Sequence, residues 1–406
     1  MRMLLAISWR NIWRHPARSG ALLGAIVAGL CAGVLTGGLT NGWMHQRFVN
    51  LIQEEVTHAQ VHHPEFLAER EPWLEIEETG AILEALGHDP RLRAYAARTL
   101  SDGMIQSPLT SAGVRVHGVE PDRERATTTF HENLDEGEYL DADSAFPILL
   151  GGRLAERLNV ELGERVVLTF QDLDNEITAA AFHVVGIFRS ASTPYDERNV
   201  FVRADELSEL LAGRPIVHEI AMMLEDEADA EAVTRELAER FDGIVAETWY
   251  ELSPELRWLT DIGGSFVVYI MVIIMLALAF GILNTMLMAI FERMRELGML
   301  MAIGMSKPRI FLMIMFESVM LTASGALVGL GLAYLLMGAL GRTGIDLSSV
   351  GGESMAEFGF DAVVYPIAHA EDYLTTMALV VVTAILAAVY PAIKALRLQP
   401  GEAVRE

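Results

Sequence analysis

Cysteine and lysine are nearly missing from this 406-residue chain, which holds one cysteine, Cys31, and two lysines, Lys307 and Lys394. A single thiol excludes an internal disulfide, so each folded part must rest on its apolar core. The phosphate-cradling pattern G-x-x-x-x-G-K-[ST] is absent, and no nucleotide site is visible. Positive charge is scarce overall. Thirty Lys and Arg stand against 55 Asp and Glu, a formal net charge of −25. A surface that acidic repels phosphates, so nucleic acid is not an expected partner. Yet 52% of the residues are hydrophobic and mean hydropathy is +0.31, which excludes an acidic disordered chain.

Acidity and apolarity occupy different stretches. Residues 19–44, 262–291 and 373–393 carry no charge, and residues 310–341 carry only Glu317. Each stretch is long enough to cross a hydrocarbon core of about 30 Å as a helix. The pattern predicts an α-helical membrane protein with four transmembrane helices at those positions. Between the first two lies a polar insert, residues 45–261, expected to form a large extracytoplasmic mixed α/β domain with a stalk. Helix one should continue through Phe48 and Leu51, and residues 252–259 should lead into helix two.

Within the insert, residues 77–99 show helical periodicity. Residues 147–158 read as strand, turn and helix, and a turn at Gly163 leads into a strand over 165–170. Further strands are expected at 182–188 and 199–203. Residues 219–224, 228–241 and 244–248 read as strand, helix and strand, and the domain could divide into two lobes.

Charge orients the chain. Residues 1–18, 292–309 and 394–406 together are net +7, residues 43–261 are net −26, and the loop 342–372 is net −5. Because positive segments stay inside, both termini and residues 292–309 are expected in the cytoplasm, and the insert and the 342–372 loop outside. Residues 1–18, with Trp9, Trp13 and four arginines, favour an uncleaved anchor over a cleaved leader.

No catalytic, cofactor-binding or metal-ligating constellation emerges. His45, His58, His62 and His63 are the best metal candidates, but they lack a His pair at ligand spacing. His62 and His63 would face opposite sides of a strand, so a surface strand is expected there. Gly151-Gly152 reads as a tight turn, and the acidic residues 132–138 as solvated loop. No Ser/His/Asp or Cys/His arrangement has local support, so a non-catalytic chain is expected.

The apolar spans say more. Gly29, Gly33 and Gly37 recur every four residues in the first, and Gly325 and Gly329 do so in the third. Small residues at that spacing let helix backbones approach, either within one chain or at a dimer seam. Both readings stay open. Glu317 should face protein or the membrane interface, as polar glue between helices. Residues 291–310 alternate charge at Glu292, Arg293, Arg295 and Glu296, then turn apolar through Leu297, Leu300, Met301 and Ile303, before Gly304 and Pro308. Such a short amphipathic helix suits docking into another protein's groove.

The segment E-R-M-R-E-L-G at 292–298, followed by A-I-G-M-S at 302–306, resembles the coupling helix of FtsX-like permeases, the MacB/LolC/LolE type of ABC transporter subunit. Other segments are similar to the same family. They are W-R-N at 9–11 with Pro16 and Arg18, Asn284-Thr285-Met286, Glu317-Ser318 with Gly325 and Gly329, and Pro391-Ala392 through Pro400 to Val404-Arg405. Residues 1–18 would then be its amphipathic N-terminal helix, and Asn284 and Glu317 its intramembrane polar positions. The order of one helix, a large exterior domain and three helices is also the family's.

The resemblance implies a permease in the bacterial inner membrane, surrounded by lipid and paired with a second permease as a homo- or heterodimer. It implies a separate cytoplasmic ABC ATPase, which binds ATP and Mg while this chain binds no cofactor. Only about 18 residues precede the first helix, so that ATPase is expected in trans. Closure of the ATPases would be transmitted mechanically to the exterior domain. Length and the segment His58-Ala59-Gln60-Val61-His62 lean toward the lipoprotein-releasing branch, with a lipoprotein or other hydrophobic substrate and a periplasmic carrier as further partners. The alternatives are an adaptor that activates an exterior cell-wall hydrolase, or a component of a tripartite efflux pump.

Overall fold

The structure, a computed structural model, describes residues 16–141, 144–357 and 359–396. The motifs at 9–11 and beyond 396 lie outside the described residues, as do most of the N-terminal helix and of the tail. The chain divides into a helical unit and an inserted unit.

Four membrane-spanning helices build the first unit: α1 (Pro16–Asn50), α10 (Pro254–Glu292), α12 (Lys307–Thr343) and α14 (Ala370–Leu396). Their shared core includes Ile26, Leu30 and Val34 of α1, Leu278 and Ile282 of α10, Met313 and Leu321 of α12, and Val380 and Ala384 of α14. Apolar side chains such as Phe280, Leu327, Leu335 and Leu386 point outward, as a lipid solvent permits. Pro308 in the first turn of α12 suits a helix start, because its missing N–H and fixed φ cost nothing there.

Small residues set the approach of α1 to its neighbours. A methyl group added at Gly325 would meet Ile26 at 2.9 Å, and one at Gly329 would meet the Val27 backbone at 3.3 Å. Gly33 leaves 2.7 Å for a methyl beside Thr376 of α14, and Gly29 faces Leu278 of α10 at 3.5 Å. These four therefore pack within one chain, whereas Gly37 meets nothing. The tightest positions on α1 are two that the four-residue repeat passes over, Gly38 and Gly42. A side chain at Gly42 would run into the Tyr365 carbonyl, and the Gly38 carbonyl accepts from the Ile367 amide at 2.9 Å.

The inserted unit is a mixed α/β domain around a ten-stranded sheet ordered β10-β1-β9-β2-β3-β8-β5-β7-β4, with β6 pairing β2 and β7. The strands are β1 (Ala59–His62), β2 (Leu92–Gln106), β3 (Ser111–Val119), β4 (Leu134–Gly137), β5 (Pro147–Gly151), β6 (Arg165–Gln171), β7 (Ile177–Phe188), β8 (Asn199–Arg203), β9 (Glu219–Leu224) and β10 (Val245–Thr248). Pairings from β2 through β3, β8, β5, β7 and β6 return to β2 and close a ring. Its core holds Ile105, Val116, Leu150, Leu168, Phe182 and Val200, together with Leu154 of α5 (Gly152–Leu158) and Leu207 of α7 (Ala204–Ala212). A second core joins β1, β2 and β9 to α3 (Thr79–Gly87) and α8 (Ala230–Arg240) through Val61, Ile82, Ile220 and Val233. Two shorter helices, α2 (Phe66–Glu69) and α4 (Pro121–Thr127), follow β1 and β3 in sequence. The long β2 serves both cores, giving two lobes on one sheet.

Four readings of the sequence are corrected. The helical periodicity over 77–99 ends in α3 at Gly87, because Asp89-Pro90 break it and Leu92 opens β2. Pairing with β9 overrides the helix-favouring composition of residues 92–98. The histidine segment is not a surface strand: β1 lies between β9 and β10 with all four residues buried. Part of the acidic run 132–138 is the strand β4 on β7, although its acids are exposed. Finally, residues 342–372 are no plain loop. β11 (Ile345–Asp346) pairs with β12 (Val363–Val364), enclosing α13 (Ser348–Glu357), and residues 347–362 group with the inserted unit.

The inserted unit closes with α6 (Thr193–Arg198) before β8 and α9 (Trp249–Leu252) after β10. A π turn, Leu51–Val56, carries α1 into β1.

Candidate functional site

The chain leaves α10 at Glu292, turns at Arg293, and forms the nine-residue helix α11 (Met294–Ala302). Gly304, at φ +100°, ends it, and Ser306 precedes α12. Helical spacing places Leu297, Leu300 and Met301 on one face of α11. Leu297 is buried, and Leu300 and Met301 pack half-buried on the membrane core. The other face carries Arg295, Met299 and Ile303 at four-residue intervals, with Met299 57% and Ile303 80% exposed. The apolar docking face read from the sequence is thus divided. Leu297, Leu300 and Met301 hold α11 to its own chain, and only Ile303 among the four apolar residues is available outward. Met299 lies outside the docking face expected from the sequence, and its spacing from Arg295 and Ile303 is the signal that marks it.

Arg293 does not project outward either. Its Nη1 donates to both carboxylate oxygens of Glu317 on α12 at 3.0 Å, and its Nε donates to Glu296 at 3.4 Å. Arg293 and Glu317 are only 15% and 16% exposed. A carboxylate inside a span is costly unless paired, and this charge-assisted bond relieves the cost while tying α11 to α12. The void beside the pair, lined by Met286, Leu297 and Met313, is about 20 Å³ and has room for no more than a water. Glu292, Arg295 and Glu296 are exposed. The Lys394 ammonium lies over the Phe291 ring at 5.1 Å, linking the end of α10 to α14. Asn284 is exposed on α10 and makes no side-chain hydrogen bond among the described residues.

An apolar cleft of about 850 Å³ lies between α1, α10 and α14, bordered by Gly33, Gly37, Met271, Met275 and Leu386, with Glu371 and Asp372 at its rim. Gly37 therefore borders open space rather than a helix.

The inserted unit carries one deep polar network. Arg98 of β2 donates through Nε and Nη2 to Glu124 at 3.0 and 2.5 Å, and through Nη1 to Glu219 at 2.6 Å. His62 completes it, 3.2 Å from the other Glu219 oxygen. Burial alone would raise Glu219, but Arg98 and then His62 hold it down to about 2. His58 accepts from the Leu224 amide at 3.0 Å. The histidines thus satisfy strand and carboxylate partners, and no group of three potential metal ligands occurs among the described residues. His117 is buried beside Arg98, and these two causes lower it to about 4.

Four apolar spans, an α/β domain inserted after the first, and a short helix pinned between the second and third define a multi-pass permease. Residues 19–240 match the MacB-like periplasmic core domain, and residues 268–400 match the FtsX-like permease C-terminal family. The first match takes in more than half of the chain, which therefore belongs to the MacB-like periplasmic core domain family and is an ABC transporter permease of the MacB/FtsX/LolC type. It is 26% identical over 216 residues to an uncharacterised ABC transporter permease of Methanocaldococcus jannaschii, covering 50% of this chain and 51% of that one. The chain thus spans about half the length of that relative. It is 24% identical over 314 residues to the lipoprotein-releasing system transmembrane protein LolC of Neisseria meningitidis, covering 72% and 73%. The periplasmic region of MacB from Actinobacillus actinomycetemcomitans superposes on 52% of this chain and 98% of its own, at 12% identity and a TM-score of 0.37.

Proposed function

We propose that this permease couples ATP hydrolysis in a separate cytoplasmic ABC ATPase to movements of its inserted domain that release a lipoprotein or another hydrophobic substrate from the inner membrane. The observation that carries this reading is α11. Its Arg295–Met299–Ile303 face is exposed while its opposite face is fastened to the bundle, so a protein seated on it can push the helices rather than the loop. In this reading ATP and Mg belong to the ATPase, a second permease completes the complex, and the positive segments put both termini and α11 in the cytoplasm. The inserted domain then lies on the periplasmic side. Among the described residues the apolar spans, with Glu317 already paired, offer no polar path through the bilayer. A lipid-linked substrate taken from the outer leaflet needs none. The relative LolC, named for lipoprotein release, supports the substrate class.

The test is gentle purification of the tagged chain from its native membrane, with co-purifying proteins and lipids identified by mass spectrometry. An ABC ATPase together with a lipidated protein is the expected result. A cell-wall hydrolase or an adaptor in place of the lipoprotein would overturn the substrate assignment, and absence of any ATPase would overturn the coupling.

A further inference from the structure

Basic side chains are scarce in the inserted domain, where residues 43–261 hold 18 arginines against 44 acids. Two adjoining cavities within that unit, of about 240 and 840 Å³, run against this balance. Arg70, Asp102, Arg115, Tyr195 and Asn199 line both. Arg98 joins them in the smaller, and Arg47 and Arg198 in the larger, so five of the 18 arginines gather here. Of the 44 acids only Glu55, Asp102 and Glu219 do so, and with Glu357 of α13 the lining still stays net positive.

Strand pairing assembles the site from distant parts of the chain. β2 sets Asp102 opposite Arg115 of β3, and the parallel register of β3 with β8 sets Arg115 beside Asn199. Arg198, the last residue of α6, is therefore one residue from that pair, and Arg70 follows α2. Two of the arginines are neutralised in place: Arg98 by Glu124 and Glu219, and Arg47 by Glu55 at 3.0 Å. The other three are not. Asp102, itself half-exposed, is shared between Arg115 at 3.3 Å and Arg70 at 3.9 Å. Arg198 is exposed and makes no ion pair among the described residues.

The smaller cavity adds an acceptor. His117 of β3 is only 8% exposed, and its Nε2 lies 2.9 Å from Asn199 Oδ1. The Asn199 amide nitrogen donates to the Tyr195 carbonyl, so Oδ1 accepts and Nε2 carries the imidazole proton. Nδ1 is left as a buried lone pair with no hydrogen-bond partner among the described residues. A buried polar atom without a partner is costly, and a ligand hydroxyl donating to it would remove that cost. Val56 and Leu252 complete both cavities with apolar surface.

We propose that these cavities bind a hydroxylated phosphate ester, its oxyanion held by Arg70, Arg115 and Arg198 and a hydroxyl donating to His117 Nδ1. Guanidinium forks match phosphate oxygens, and three of them from separate elements suit a tetrahedral oxyanion better than a planar carboxylate. A cavity of about 840 Å³ is of the size usual for small-ligand sites. Such an ester is either a phospholipid headgroup or a free polyol phosphate, and one titration separates the two. The inference rests on the inserted unit alone and not on the transport reading.

The test uses the full chain in nanodiscs of phosphatidylcholine, titrated by isothermal calorimetry at pH 7.5 and low salt. One probe is glycerophosphoglycerol, the deacylated headgroup of phosphatidylglycerol, and the other is glycerol 3-phosphate. Saturable binding of at least one is expected. Tighter binding of the first assigns a lipid headgroup, and equal or weaker binding a free ester. Arg198→Gln should weaken that binding about tenfold or more, in line with loss of a charge-assisted hydrogen bond. Because Arg198 is exposed and without an ion pair, its replacement leaves the fold intact. Arg153→Gln on α5, which removes the same charge outside both cavities, should bind like wild type. Saturation by neither probe, wild-type affinity in Arg198→Gln, or an equal loss in Arg153→Gln overturns the site.

Discussion

Arg293 and Glu317 fasten α11 to α12, and the coupling we propose depends on that bond. Removing one partner leaves a half-buried charge without its counter-ion, and for fully buried pairs that costs roughly 3–5 kcal/mol. With about 15% exposure the cost here should be smaller, on the order of 2 kcal/mol. Arg293→Glu should therefore lower thermal stability and uncouple ATP hydrolysis, and Glu317→Arg on the same chain should restore both. A swap no better than the single variants would show that the two residues act separately. The second charged network makes a different prediction. Arg98→Met strands Glu124 and Glu219 in the interior, and the melting temperature of the protein should fall by several degrees, read by circular dichroism. Because Glu219 is held down to about 2, the stability it adds is complete above its ordinary value near 4.5 and is lost as pH falls toward 2. The Arg98→Met variant should lack that acid limb.

At the scale of elements, the spans and most of the inserted strands were legible because their signals are local. An uncharged run of about twenty residues admits few readings in a membrane protein. β5, α5, β8 and β9 carry their own turns and apolar runs, and the Gly163 turn marks the start of β6. The misreadings share one cause, a partner distant in sequence. The first half of β2 reads as helix until β9 pairs with it, and β1 reads as surface until β9 and β10 cover both its edges. Glycine roles fail likewise: the repeat at 29, 33 and 37 is visible, but the need for Gly42 comes from Tyr365. Gly42→Val should therefore destabilise the helical unit more than Gly37→Val, since Gly37 meets nothing within 4 Å. Detergent melting curves of the two variants compare them directly, and equal melting would refute the close approach of α1 to residues 365–367.

For the whole molecule, the orientation we propose from the distribution of charge can be checked by labelling single cysteines in intact cells. A cysteine at Glu161 should react with a membrane-impermeant maleimide, and one at Ser306 should not. The candidate site was only half legible. Sequence periodicity located α11 and its charges, but two of its faces are apolar, and only packing shows that Leu297, Leu300 and Met301 are spent on the bundle while Met299 and Ile303 remain. The central claim, that this remaining face receives an ATPase, is tested most directly by the pair Met299→Asp/Ile303→Asp. With insertion and stability verified, the ATPase recovered with the tagged variant should fall at least about tenfold, as expected when two apolar anchors at an interface are replaced by charge. Recovery equal to wild type would contradict the account.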